Sequence, residues 1–122
     1  MAKKQIPLTR LTWDDVRSLV GSLPDVEECT SYGTPALKVA GKLFAREHQD
    51  GEDLVVHMAI VERNRLTKSQ PAVYHFTEHY RKYPYALVRL NAATRDEMAE
   101  ILYRAWRSAA PKKVVAAFDA NE

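Results

Sequence analysis

Apolar residues recur at helical spacing from Thr12 onward, with Val16, Leu19, Val20 and Leu23 at i, i+3, i+4 and i+7. Thr12 as N-cap with Asp15 three residues on opens this first helix, and Pro24 ends it at Leu23. After a connection from Asp25 to Tyr32, the period changes. Thr34 to Val39 and Lys42 to His48 read as strands on either side of Ala40-Gly41, a pair suited to a tight hairpin. Asp50-Gly51 marks a second turn into Leu54 to Ala59, where Leu54, Val56 and Met58 alternate with Val55 and His57. Ile60 to Ser69 reads as a polar middle helix stopped by Pro71. Val73 to Tyr85 keeps neither period and is expected as an ordered loop with short extended pieces. Ala86 to Leu90 is a further strand. Thr94 with Glu97 forms a capping box before the widest apolar stripe of the chain, Met98, Ile101, Leu102, Ala105, Trp106 and Ala109. Pro111 opens a short last helix with Val114, Val115 and Phe118 inward.

Together these elements predict an α+β domain. A small antiparallel sheet of about four strands, a meander plus one, packs against an N-terminal helix, a middle helix and a long C-terminal helix. Length agrees: 122 residues, 46% apolar and 28% charged, fit one domain over 1–122. The lone Cys29 points to a reducing, cytoplasmic setting without disulfides. Met1 to Arg10 has lysines but no apolar run behind them, and no stretch of about eighteen apolar residues occurs, so neither a signal peptide nor a membrane span is expected. A net charge of +2 implies no anionic partner by itself.

Three stretches are similar to the MmcQ/YjbR-like family: Ser31-Tyr32-Gly33-Thr34-Pro35-Ala36-Leu37-Lys38 running into Gly41-Lys42-Leu43-Phe44-Ala45, then His79-Tyr80-Arg81-Lys82-Tyr83-Pro84, then Trp106 followed by Ala110-Pro111-Lys112. The helix start Trp13-Asp14-Asp15-Val16 matches as well. The resemblance implies a sheet backed by helices and a DNA-binding role, described from a double-wing shape. Lys82 stands where many relatives have glycine.

Candidate chemistry follows from the basic residues. Lys38, Lys42, Arg46 and Arg89 fall in strands, Arg81 and Lys82 in the aromatic loop, and Lys112 after Pro111, as cations along a phosphate-tracking surface would. Alternation sets Lys38 and Arg89 opposite the apolar positions of their strands, whereas the phase of Lys42 to His48 is ambiguous: Lys42 and Arg46 share the parity of Phe44 and turn inward with it if Phe44 faces the core. Tyr80, Tyr83 and Tyr85 beside Arg81 and Lys82 suit base stacking or packing under a sheet edge. The expected function is DNA binding of low sequence specificity, as a monomer, without enzymatic activity, cofactor or metal. Two alternatives are a protein-interaction module, with Tyr32, His79, Tyr83 and Tyr85 as the surface, and a small-ligand binder or enzyme with a site near Tyr32, Lys38, His79 and Tyr83. His75-Phe76-Thr77-Glu78-His79 matches H-x-x-E-H, but zinc binding through it requires a helix that the neighbouring prolines and β-formers oppose. The four glycines form no dinucleotide or phosphate loop.

Overall fold

The computed structural model describes residues 10–121; segment 1–9, part of the signal-peptide reading, and Glu122 lie outside it. Helix α1 (Trp13–Leu19) is followed by β1 (Val26–Ser31), β2 (Thr34–Val39), β3 (Lys42–Glu47) and β4 (Asp53–His57). Helix α2 (Ile60–Ser69), the two-residue β5 (Tyr74–His75), a 3₁₀ turn (Glu78–Tyr80), β6 (Tyr85–Arg89), α3 (Arg95–Ala109) and α4 (Lys112–Ala120) complete it. The strands form a six-stranded sheet in the order β1-β2-β3-β4-β6-β5, and every pairing is antiparallel.

The class is as expected, but two strands exceed the predicted four, and both are edges. Strand β1 lies in the stretch expected as a connection. Its ladder with β2 supplies the stabilisation, and an edge needs little burial, so Glu27 and Glu28 stand exposed and the apolar pattern is weak. Those charges oppose strand addition at one edge, and the shortness of β5 limits it at the other.

Helix ends follow local chemistry. In α1 the Thr12 N–H donates to Asp15 Oδ2 at 2.8 Å and the Asp15 N–H to Thr12 Oγ1 at 3.3 Å, the reciprocal capping the sequence predicts. The regular helix stops at Leu19, earlier than expected. Gly21 disfavours continuation and Pro24 keeps Leu23 from helical backbone, so Gly21 and Leu23 donate to Ser18 and Val20 in tight turns. In α3 the Thr94–Glu97 box forms and the whole predicted stripe is buried. Trp106, fully buried, donates from Nε1 to the Pro24 carbonyl at 3.0 Å.

The main core lies between one sheet face and the helices, where Phe44, Leu54, Val56, Val88, Met98, Leu102 and Trp106 pack together. A smaller cluster, Val55, Tyr80 and Leu87 with Tyr85 against it, occupies the opposite face. All five residues of β4 are therefore buried.

The parity of β3 resolves through a bulge. Leu37 pairs with Ala45 and Lys38 with Leu43, which leaves Phe44 as an extra residue. A bulge lets two successive side chains turn to one face. Phe44 and Ala45 both join the helix-side core, while Arg46, opposite Val55, emerges on the other face. The expectation that Arg46 follows Phe44 is thus corrected.

Candidate functional site

The second sheet face is covered by the segment 76–85, and Arg63 of α2 holds that segment in place. Arg63 is 1% exposed. Its Nη1 donates to the carbonyls of Tyr80 (2.8 Å), Tyr83 (3.0 Å) and Tyr85 (3.2 Å), and its Nη2 to that of Arg81 (3.0 Å). The guanidinium carbon lies 3.9 Å from the centre of the Phe76 ring. A planar five-donor group is the one side chain that can gather so many carbonyls of a non-repetitive segment. Burial, with Arg81 nearby, lowers its pKa from the usual arginine value.

Under the anchored segment lies a cavity of about 270 Å³ lined by Tyr32, Arg46, His48, Gln49, Thr77, His79 and Tyr80. Arg46 is its charged wall and is only 2% exposed. Nη2 donates to the Tyr80 hydroxyl, and Nη1 faces Thr34 Oγ1, the Glu47 carbonyl and Gln49 Oε1, each at 3.3 Å. Among the described residues no carboxylate pairs with it, and its Nε has no hydrogen-bond partner. A buried charge without a counter-charge is costly, so the arrangement favours an anion reaching the cavity.

The cavity mouth is aromatic. Tyr32 and Gly33 are the central residues of the β1–β2 hairpin, both with positive φ, 54° and 79°. That conformation strains a tyrosine. It holds a ring that is 74% exposed with its centre 5.1 Å from the Arg46 guanidinium carbon. His79 packs edge-on to Tyr80 at 4.7 Å between centroids and lies 6.3 Å from Tyr83.

The candidate residues thus divide. Tyr32, Arg46 and His79 converge on one cavity, with Tyr83 beside His79, and Tyr85 lies behind Tyr80 at 5.9 Å between ring centroids. Arg46, nominated for phosphates on an open surface, is buried, because the bulge turns it under Tyr80. The other cations do not line this cavity. Arg81 is tied to Glu78 at 2.8 Å. Lys38 lies across from Glu27 in the ladder and Arg89 across from Asp53. Lys42 begins β3, Lys112 begins α4, and Lys82 is exposed on the anchored segment. The H-x-x-E-H stretch is split between β5 and the 3₁₀ turn: His75 Nε2 lies 3.0 Å from Asp53 Oδ2, His79 lines the cavity, and Glu78 holds Arg81.

Sequence reasoning passed over Arg63, His48 and Gln49. An arginine on a polar helix gives no periodic signal. His48 and Gln49 lead into the Asp50-Gly51 turn, where a turn reading absorbs them.

A larger cavity, about 430 Å³, opens between α2 and α3 and includes Met58, Leu66, Tyr74 and Ile101 in its walls. Most of its charges satisfy one another: Glu62 meets Arg65 at 2.7 Å and Arg104 at 3.7 Å, and Glu100 meets Arg104 at 2.8 Å. His57 Nδ1 and Ser108 Oγ share a 2.7 Å hydrogen bond there. Ser108 lies in the last turn of α3, whose carbonyl end disfavours a developing oxyanion, and no described carboxylate bonds the imidazole. The pair lacks the parts of a nucleophilic triad.

A single antiparallel sheet with helices on one face, and an anchored aromatic segment roofing a cationic cavity on the other, defines a small α+β domain. The chain belongs to the YjbR family, whose model matches residues 21–108. Uncharacterized proteins of Mycobacterium bovis and Mycobacterium tuberculosis are 33% identical over 128 residues, with 90% of this chain and 97% of theirs covered. A crystal structure of a Deinococcus radiodurans protein with a DUF419 domain is similar in fold, with a TM-score of 0.68 at 22% identity, covering 80% of this chain and 77% of that one. No helix among the described residues is long and apolar enough to cross a membrane.

Proposed function

We propose that this domain is a binding protein for a small oxyanion-bearing ligand, a carboxylate or phosphate group seated against Arg46 beneath Tyr32 and His79. The observation that carries this is the Arg46 guanidinium, 2% exposed, without a carboxylate partner among the described residues and with Nε free of hydrogen bonds, in the wall of a cavity. Volume limits the ligand. At about 270 Å³ the cavity falls just below the roughly 300–1,000 Å³ of pockets that enclose drug-sized molecules, which favours a small acid or the terminal group of a longer one. Tyr32 and Tyr83, 74% and 56% exposed, suit contact with a flat or apolar remainder outside.

The test is a titration with inorganic phosphate and, separately, acetate, followed by amide and histidine NMR shifts. Saturable shifts confined to Arg46, His48, Gln49, Thr77, His79 and Tyr80, lost in Arg46→Met and weakened in the exposed-site variant His79→Ala, support the reading. No pocket shift at tens of millimolar with either anion refutes it.

A second reading keeps the sequence-based expectation of DNA binding, through Lys38, Lys42, Arg81, Lys82, Arg89 and Lys112. The exposed Tyr83 ring beside Lys82 favours it as a single-strand contact, whereas the Glu78–Arg81 pair weakens it. A salt-series anisotropy titration with labelled single-stranded and duplex DNA separates the two. Binding that weakens steeply with salt and drops in Lys82→Ala supports this second reading. The charged β1 edge and the shortness of β5 support a monomer in either case.

A further inference from the structure

We propose that His48, Asp50 and Asp53 form a binding site for one divalent first-row transition-metal ion. One ligand atom from each lies within 4.8 Å of the others. His48 Nδ1 is 3.0 Å from Asp50 Oδ2. Two donors each about 2.0–2.1 Å from a tetrahedral zinc stand about 3.3 Å apart, so small side-chain adjustments suffice to admit the ion.

Asp53 supplies the independent sign of a ligand. It is 3% exposed, and its Oδ1 is buried without a hydrogen-bond partner. Its Oδ2 faces His75 Nε2 at 3.0 Å, a contact that is a hydrogen bond only when that nitrogen carries the proton. Among the described residues neither Asp50 nor Asp53 pairs with a lysine or arginine. Two neighbouring carboxylates, one buried, therefore share a region supplied with imidazoles but with no described lysine or arginine within 4 Å, even though Arg89 stands opposite Asp53 in the ladder. A metal ion meets that deficit, and His75 then acts as the outer partner that orients Asp53.

The chain holds the three residues together without the ion. The His48 N–H donates to the Asp53 carbonyl at 3.0 Å, and Asp50 Oδ1 accepts from the N–H groups of Glu52 (2.8 Å) and Asp53 (3.1 Å). One imidazole with two carboxylates is an N/O donor set, which suits zinc or manganese better than calcium or magnesium. Three protein ligands leave a coordination position open. This site stands apart from the oxyanion reading, although His48 also lines that cavity.

Zinc chloride alone is the probe, titrated calorimetrically into the full chain at neutral pH, and into Asp53→Asn, Asp50→Asn and His48→Gln. The expected result is one ion per chain with micromolar or tighter affinity, weakened tenfold or more in each variant that melts cooperatively without metal. Asp50→Asn keeps the oxygen that accepts the turn N–H groups, so it remains informative if Asp53→Asn fails to fold. No saturable binding, or one-to-one binding that persists unchanged in the folded variants, overturns the site. Because no phosphate or acetate is present, this outcome is separate from that of the anion titration.

Discussion

Replacing Arg63 by methionine removes the guanidinium donors that gather four carbonyls of the 76–85 segment while keeping an unbranched stem of similar reach. The carbonyls of Tyr80, Arg81, Tyr83 and Tyr85 lose the guanidinium together, and Tyr80 and Tyr83 keep only the N–H groups of Tyr83 and Tyr85. Arg81 and Tyr83 are exposed residues whose carbonyls can turn to water. Tyr80 and Tyr85, packed in the second cluster, cannot do so without unpacking. Leaving a buried acceptor unsatisfied costs about 1–3 kcal/mol, which falls on Tyr85, whereas Tyr80 keeps the Tyr83 N–H at 3.0 Å. Loss of the stack on Phe76 adds about 0.5–2 kcal/mol. Relief of burying a charge that has no carboxylate partner offsets part of this. The expected net loss is about 1–3 kcal/mol, a sizeable part of the roughly 5–15 kcal/mol available to a domain. Urea unfolding followed by tryptophan fluorescence reads this as a lower midpoint at unchanged slope. Limited proteolysis should place new cuts between Phe76 and Tyr85. Arg63→Lys, with one compact donor centre, should recover only part of the loss. A loss below about 1 kcal/mol for Arg63→Met, with the segment still protected, would refute the view that Arg63 anchors it.

Two further outcomes are expected. Burial, and then Lys42, lower the His57 pKa, so between the folded and unfolded values the unfolded chain binds more protons; stability is complete above about 6.5 and declines as pH falls toward the folded value. That decline, read by melting temperature against pH, should be reduced in His57→Asn, and an identical pH profile would contradict it. Ala40 sits at φ 50° in the β2–β3 hairpin before Gly41 at 84°, a turn that prefers Asn-Gly, so Ala40→Asn should stabilise the chain by about 0.5–1 kcal/mol in urea unfolding, and a destabilisation would count against the strain argument.

The elements legible in the sequence were those that bury a wide, regular face or punctuate the chain chemically. The stripe from Met98 to Ala109, the two capping boxes and the Ala40-Gly41 hairpin each depend on residues a few positions apart, and local chemistry sets them before any long-range contact forms. Strand β1 was not legible, because an edge strand is held by its ladder and shows little hydrophobic pattern. Val73 to Tyr85 was legible as an ordered loop with short extended pieces, but its course was not, since its conformation is fixed from outside by Arg63, many residues away and on a helix that looks merely polar.

The candidate site divides along the same line. The motif stretches named Tyr32, His79 and Tyr83 and the row of strand cations named Arg46, but their chemistry depended on which face Arg46 takes. A bulge at Phe44 decides that, and register between β2 and β3 is a property of two strands together. What the sequence by itself determined was the class of the fold, most of its elements and the identity of several site residues, because periodicity and capping are local. The tertiary structure alone turned Arg46 under Tyr80, brought His79 over it from a distant segment and left Asp53 buried beside Asp50, because burial and charge pairing depend on what the folded chain brings near.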